Sequence, residues 1–193
     1  MESVLDRVIK QNTENVNLLK TKDYNIFSVL QIQSKEVLIC RMIADLLNPR
    51  GQHGAGAEYL KIFLRDCLGM EKMDTKLADQ AIVTAEYAID DERRIDIVIE
   101  IGSYFLPIEV KIYAADQKSQ CFEYYQYAKR RDAQAKVYYL TLDGHRPGKD
   151  STSSGSQSVP EEDIVCLSFR EHILNWLKAC KNCENTGMIP ILE

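Results

Sequence analysis

The sequence predicts a mixed α/β domain in which helices cover a central sheet. Three observations predict it. The first 70 residues carry helical apolar periodicity. Between residues 81 and 112 the period switches to that of strands. A helical stretch and a further strand then follow. The chain has 193 residues, 45% of them apolar and 27% charged, which suits one soluble globular domain.

Each element has its own signal. Val4, Leu5, Val8 and Ile9 give residues 3–20 an amphipathic helical pattern. A second helix is expected from about residue 34 to 47, stopped by Pro49 and Gly51. "GQHGAG" reads as a loop, and "AEYLKIFLRDCLGM" as a helix ending near Gly69. "AIVTAEYAI" (81–89), "RIDIVIEI" (94–101) and "YFLPIEVKI" (104–112) read as three strands in a meander, turning at "DDER" and at Gly102–Ser103. "ADQKSQCFEYYQYAKRRDA" reads as helix, "KVYYLTL" (136–142) as a fourth strand, and residues 143–163 as a mobile Gly/Ser-rich loop. A short strand, "IVCLSF", and a helix over "REHILNWLKACKNC" close the pattern.

Composition bounds the function. No apolar run approaches membrane-spanning length, and the N-terminus lacks a signal-peptide core, so a cytoplasmic protein without membrane partners is expected. Six scattered cysteines read as reduced core thiols, and the single Cys180-x-x-Cys183 has no partner pair for zinc. The net charge is −5, which argues against a general nucleic-acid coat. The charge is uneven, however. Residues 85–100 hold six Asp/Glu against two Lys/Arg, and residues 111–136 hold six Lys/Arg against three Asp/Glu. An acidic metal site beside a phosphate-binding face would have this asymmetry.

Glu109 and Lys111 stand inside an otherwise apolar strand, two apart and therefore on one face. Pairing across the Gly102–Ser103 turn puts Asp96 opposite residues 109–111. Two neighbouring carboxylates with a lysine suit a hard divalent cation that keeps waters for substrate oxygens. The alternative is an ordinary ion pair of Asp96 with Lys111 on a solvated sheet face.

Asp96 followed by Glu109-Val110-Lys111, and then by Gln120-Cys-Phe-Glu-Tyr124, resembles the PD-(D/E)xK nuclease superfamily and its branch with a Q-x-x-x-Y motif. "SKEVLICRMIADLLNPRGQHGAGAEYLKIFL", "RRIDIVIE" and "YYLTLDG" extend the resemblance over about residues 30–145. The proline usual before the aspartate is absent, and Leu38-Ile39-Cys40 stands where small polar residues are expected. Proteins of the family are often longer, which leaves room for a short member or for a chain lacking a C-terminal part.

The resemblance implies the αβββαβ restriction-endonuclease-like core and a nuclease using Mg²⁺, or Mn²⁺ in its place, on nucleic acid, most simply DNA. The setting would be defence, restriction or repair. It makes Asp96, Glu109 and the Val110 carbonyl metal ligands, with Glu36 and Glu86 as further candidates. Lys111 would orient or acidify the attacking water, and Gln120 and Tyr124 would set the lysine or the substrate strand, with Gln117 as a lesser candidate. His53 and Lys129-Arg130-Arg131 are candidates for contact with nucleic acid, against plain solvated readings. A homo-oligomer and a catalytically inactive binding module on the same fold remain open, as does a redox role for the C-x-x-C pair.

Overall fold

The computed structural model describes residues 35–71 and 73–183. The expected helix over residues 3–20 lies outside them. The described residues from 36 onward form one compact unit. Helix α1 runs Glu36–Leu47, α2 Glu58–Asp66 and the short α3 Thr75–Ala78. The meander follows as β1 Ile82–Ala88, β2 Arg94–Ile101 and β3 Tyr104–Lys111. Helix α4 spans Gln120–Arg131 and strand β4 Val137–Thr141. Strand β7, Ile164–Ser168, and helix α6, Leu174–Lys181, complete the unit after the segment described below.

The five-stranded sheet has the order β1-β2-β3-β4-β7. β1, β2 and β3 pair antiparallel, whereas β3–β4 and β4–β7 pair parallel. This is the mixed, helix-flanked sheet of a restriction-endonuclease-like core. The crossover from β3 to β4 is α4, and residues 142–163 carry the chain from β4 to β7. Pro107 sits one residue before the β3–β4 ladder begins at Ile108, so its missing N–H takes no bond from that ladder.

Strand alternation sorts the two faces. Ile97, Ile99 and Ile101 of β2, with Leu106, Ile108 and Val110 of β3, pack with α1 and α2 in the larger core. Val98 and Phe105 pack instead with Tyr124 and Ala128 of α4. Asp96 keeps step with Val98, and Glu109 and Lys111 with Phe105, so all three charges fall on the α4 face. Among the described residues, no helix is long and apolar enough to cross a membrane.

Two stretches differ from expectation. Residues 143–163 hold a helical turn, α5 (Lys149–Thr152), a hairpin of β5 (Ser153–Ser154) and β6 (Gln157–Ser158), and a 3-10 turn at Glu161–Asp163. Hydrogen bonds from outside the segment explain this order: Asp116 accepts from the Gly148 N–H at 2.6 Å, and Ser119 Oγ donates to the Ser153 carbonyl at 2.8 Å. The last helix begins with a π turn over Phe169–Ile173, which sequence periodicity does not announce.

Candidate active site

The β2–β3 ladder runs from Ile101↔Tyr104 to Ile97↔Ile108. Just beyond it, Asp96 Oδ2 accepts the Val110 N–H at 2.8 Å, so a side chain takes the role of the next backbone acceptor. Glu109 and Lys111 stand on β3 with Tyr139 and Thr141 of β4 as register partners. Glu109 is 1% exposed and Lys111 8%. Lys111 Nζ lies 2.6 Å from Glu109 Oε1 as an ion pair, yet neither Glu109 oxygen completes an aligned hydrogen bond. A buried carboxylate left in that state is costly.

The electrostatics follow. Burial, then the neighbouring Asp96, push the Glu109 carboxyl up to about 8; Lys111 pulls the other way without prevailing. Burial also raises Asp96, against the Val110 N–H and Lys111. Burial alone would lower Lys111, but Glu109, and then Asp96 and Glu36, hold it above the ordinary lysine value. Without a further cation, this cluster retains a proton on its carboxylates at neutral pH. One ammonium does not compensate two carboxylates in a dry setting.

Asp96, Glu109 and Lys111 open on a polar cavity of about 440 Å³ that Glu36, Gln120 and Tyr124 also line. Glu36 reaches it from the first turn of α1. Its Oε1 accepts three successive backbone N–H groups, Ile112 and Tyr113 at 2.7 Å and Ala114 at 3.0 Å. Burial would raise its carboxyl, but those three amides, with Lys111, hold it below the usual value. Glu36 thus clamps the turn that follows Lys111.

Glu86 is elsewhere occupied. Its backbone is left-handed at φ 54°, and its carboxylate pairs with Arg41, Nε donating at 3.0 Å. It does not line the cavity. Among the described residues, no group of three or more His, Cys, Asp or Glu side chains is placed to hold a metal ion together. A cation here would therefore rest on Asp96 and Glu109, a backbone oxygen and waters, a set that suits magnesium.

On α4, Gln120 Nε2 donates to Tyr124 Oη at 3.1 Å, and Tyr124 Oη donates to the Arg94 carbonyl at 2.5 Å. Burial, then Glu109, push the phenol well above its usual value, so Tyr124 is a hydrogen-bonding group and not a proton source at neutral pH. Gln117, Arg94 and Lys118 also line the cavity, and all three are exposed.

This architecture matches a known family model. The model of the PD-(D/E)XK nuclease superfamily matches residues 24–189, well over half of the chain. The chain belongs to that superfamily. No curated protein and no solved structure matches it.

The remaining sequence candidates have structural employment. His53 is 3% exposed, stacks on Tyr59 with ring centroids 4.7 Å apart, accepts the Ala55 N–H at 3.1 Å and bonds the Asn48 carbonyl at 3.0 Å. It therefore pins the loop from inside, which the expected nucleic-acid contact does not fit. A Cβ at Gly51 would come within 2.2 Å of the Asp45 carbonyl and 2.6 Å of the His53 ring, so only glycine fits there. Lys129 pairs with Asp163, Arg131 with Glu100, and Arg130 lies over the Tyr127 ring. Cys180 and Cys183 are free thiols, and burial pushes Cys180 up to about 12, the reverse of a redox thiol. Sequence reasoning missed Asp116, which accepts from Tyr139 Oη and the Gly148 N–H at 2.6 Å each and so fixes the span between Lys111 and Gln120. No sequence signal separated it from a solvated loop aspartate.

Proposed function

We propose that this chain is a metal-dependent nuclease that hydrolyses phosphodiester bonds, with DNA as its substrate. One observation carries the reading: Glu109 is buried beside Asp96 with only the Lys111 ammonium, 2.6 Å from its Oε1, to offset the two carboxylates, and burial and Asp96 raise its pKa. Such a group calls for a cation. Asp96 and Glu109 would hold Mg²⁺, or Mn²⁺ in its place, with the Val110 carbonyl as a further oxygen. When bound, such an ion supplies an activated water and offsets charge developing on the phosphate.

The chain's own residues do the rest. Lys111 stays an ammonium, so it serves as a charge and hydrogen donor beside the phosphate and not as a base. Glu36 holds the turn behind it through three amides. In the reaction the water oxygen bonds to phosphorus and the opposite P–O bond breaks. The water gives up one proton, and the departing oxygen acquires one.

The test is cleavage of single- and double-stranded DNA and RNA with Mg²⁺ and Mn²⁺, comparing the natural chain with Glu109→Gln. Cutting of DNA by the natural chain alone is the expected result. Nucleic-acid binding with no cleavage in either metal would replace this reading with that of an inactive binding module.

A further inference from the structure

Tyr113 differs from the other aromatic side chains. It is 67% exposed, more than any other large apolar or aromatic side chain among the described residues. Its side chain makes no hydrogen bond, ion pair or ring contact among them. Other tyrosines are employed: Tyr124, Tyr125 and Tyr139 donate through their hydroxyls, and Tyr87 and Tyr127 meet edge to face. A single exposed aromatic is ordinary on a protein surface, so its setting decides.

That setting is the mouth of the charged cavity. Tyr113 lies in the chain between Lys111 and Ala114, which both line it, and Gln117 and Lys118 continue the same wall. Consecutive Cα atoms are about 3.8 Å apart, so the ring starts beside that wall. Residues 112–119 form neither helix nor strand, yet their backbone is pinned. Glu36 Oε1 accepts the Ile112, Tyr113 and Ala114 N–H groups. Asp116 accepts from Tyr139 and Gly148, and the Ser119 N–H donates to the Asp150 carbonyl at 2.7 Å. The fold thus fixes the backbone of this segment and leaves the ring bare. An aromatic ring on a fixed backbone loses little freedom when it is covered.

The partner follows from what else stands at the mouth. Arg94 and Lys118 line the cavity, are exposed, and have no acidic partner among the described residues. Free cations take backbone phosphates, and a bare phenol ring offers its π face to a base. A base inside a duplex is already stacked on both faces, so the base received here is unpaired. We propose that Tyr113 is a stacking platform for an unpaired base of the strand whose phosphate enters the cavity. The substrate class is then single-stranded nucleic acid, or the single-stranded side of a junction, in preference to continuous duplex. This inference rests on the nuclease reading above.

The test uses Tyr113→Ala and Tyr113→Phe in the full chain. Fluorescence anisotropy in EDTA measures affinity for a labelled single-stranded DNA, for the same strand with abasic positions, and for the duplex. Melting and cleavage are followed alongside. Tyr113→Ala is expected to weaken single-strand binding by about 5- to 150-fold, the cost of one lost stack. Tyr113→Phe should bind as the natural chain does, because the ring remains. The abasic strand should bind the natural chain and Tyr113→Ala equally, because the partner of the ring is already gone. Duplex affinity and melting should be unchanged in both variants. In cleavage of the single strand the loss should fall on KM and spare kcat. Undiminished single-strand binding by Tyr113→Ala would overturn the platform and leave the nuclease reading standing. Tyr113→Phe binding as weakly as Tyr113→Ala would overturn it in favour of a hydroxyl contact. A lowered melting temperature with an equal loss on every strand would overturn it and make Tyr113 a structural residue. A natural chain that binds the single strand through Tyr113 and cuts nothing in either metal would remove the nuclease reading and keep the platform.

Discussion

Two recesses of similar size differ in almost everything else. One, of about 410 Å³, lies between α1 and the last helix and is lined by Met42, Leu46, Leu142, Phe169, Leu174 and Leu177. The other, of about 440 Å³, holds Asp96, Glu109 and Lys111. The first is the more apolar and by ordinary pocket criteria the better ligand site. Yet its walls have few unmet demands: Trp176 is 1% exposed, and its Nε1–H is satisfied by the Tyr59 carbonyl at 2.8 Å. The second holds two carboxyls pushed upward by burial, with the one ammonium of Lys111 against them. Volume and greasiness report how helices fail to fill space. Unmet electrostatics mark the recess where the proposed cation would sit, and the residues there are those that resemble the superfamily's motif.

Substitutions on the two sides should separate cleanly. Glu109→Gln should abolish cleavage to an extent exceeding the roughly 10- to 100-fold cost of disturbing a residue that merely supports a metal ligand. Its metal-free stability should hold at neutral pH, where the cluster already keeps a proton, and rise above pH 8, where the natural carboxyl has to ionise while buried; cleavage and melting assays on the same sample check both. Trp176→Ala should do the opposite. It should cost about 3–5 kcal/mol of stability in urea titration and leave the melting increment given by Mg²⁺ unchanged. If Trp176→Ala erased that increment, the two recesses would be coupled and the contrast would fail.

The pH response sharpens the contrast further. The folded Glu109 carboxyl titrates near 8, above its ordinary value of 4.5, and Asp96 is raised too. The folded state therefore binds protons more tightly than the unfolded one. The stability this gives is fully present below the unfolded value and is lost as pH rises toward 8, at up to about 1.4 kcal/mol per pH unit for each proton held. Urea melts of metal-free protein from pH 5 to 8.5 should show the decline, and Glu109→Gln should flatten it. The smallest effect belongs to the cavity's mouth. Arg94→Ala should weaken DNA affinity by about 3- to 10-fold and reduce the salt slope by about one, the signature of one lost phosphate contact. Anisotropy at several salt concentrations reads both.

The elements were legible because their periods are clean. Strands expected at 94–101 and 104–112 occur at Arg94–Ile101 and Tyr104–Lys111, and the hairpin register follows from Gly102–Ser103. The placement of Asp96, Glu109 and Lys111 in one cavity was legible for the same reason, since strand parity and register are local rules. What escaped depends on long-range partners. The occupation of Glu86 by Arg41, 45 residues away, leaves no trace in the strand pattern. Neither does the use of Glu36 to hold amides 76 to 78 residues downstream. The order in residues 143–163 was missed because a Ser/Gly-rich composition signals weak self-packing and is silent about Asp116 and Ser119 gripping it from outside.

The position of β3 in the sheet has a consequence for how the molecule breathes. This strand is bonded antiparallel to β2 and parallel to β4, so the segment carrying Glu109 and Lys111 can be freed only by parting the middle of the sheet. Gln120 sits at the first position of α4, just after Ser119, whose left-handed backbone is held by single hydrogen bonds to Asp150 and Ser153. Openings of low free energy begin at such helix ends, whereas the sheet centre opens only with global unfolding. Glu109 and Lys111 therefore ride on backbone expected to be among the slowest to exchange, and Gln120 on a helix end expected to open at lower free energy.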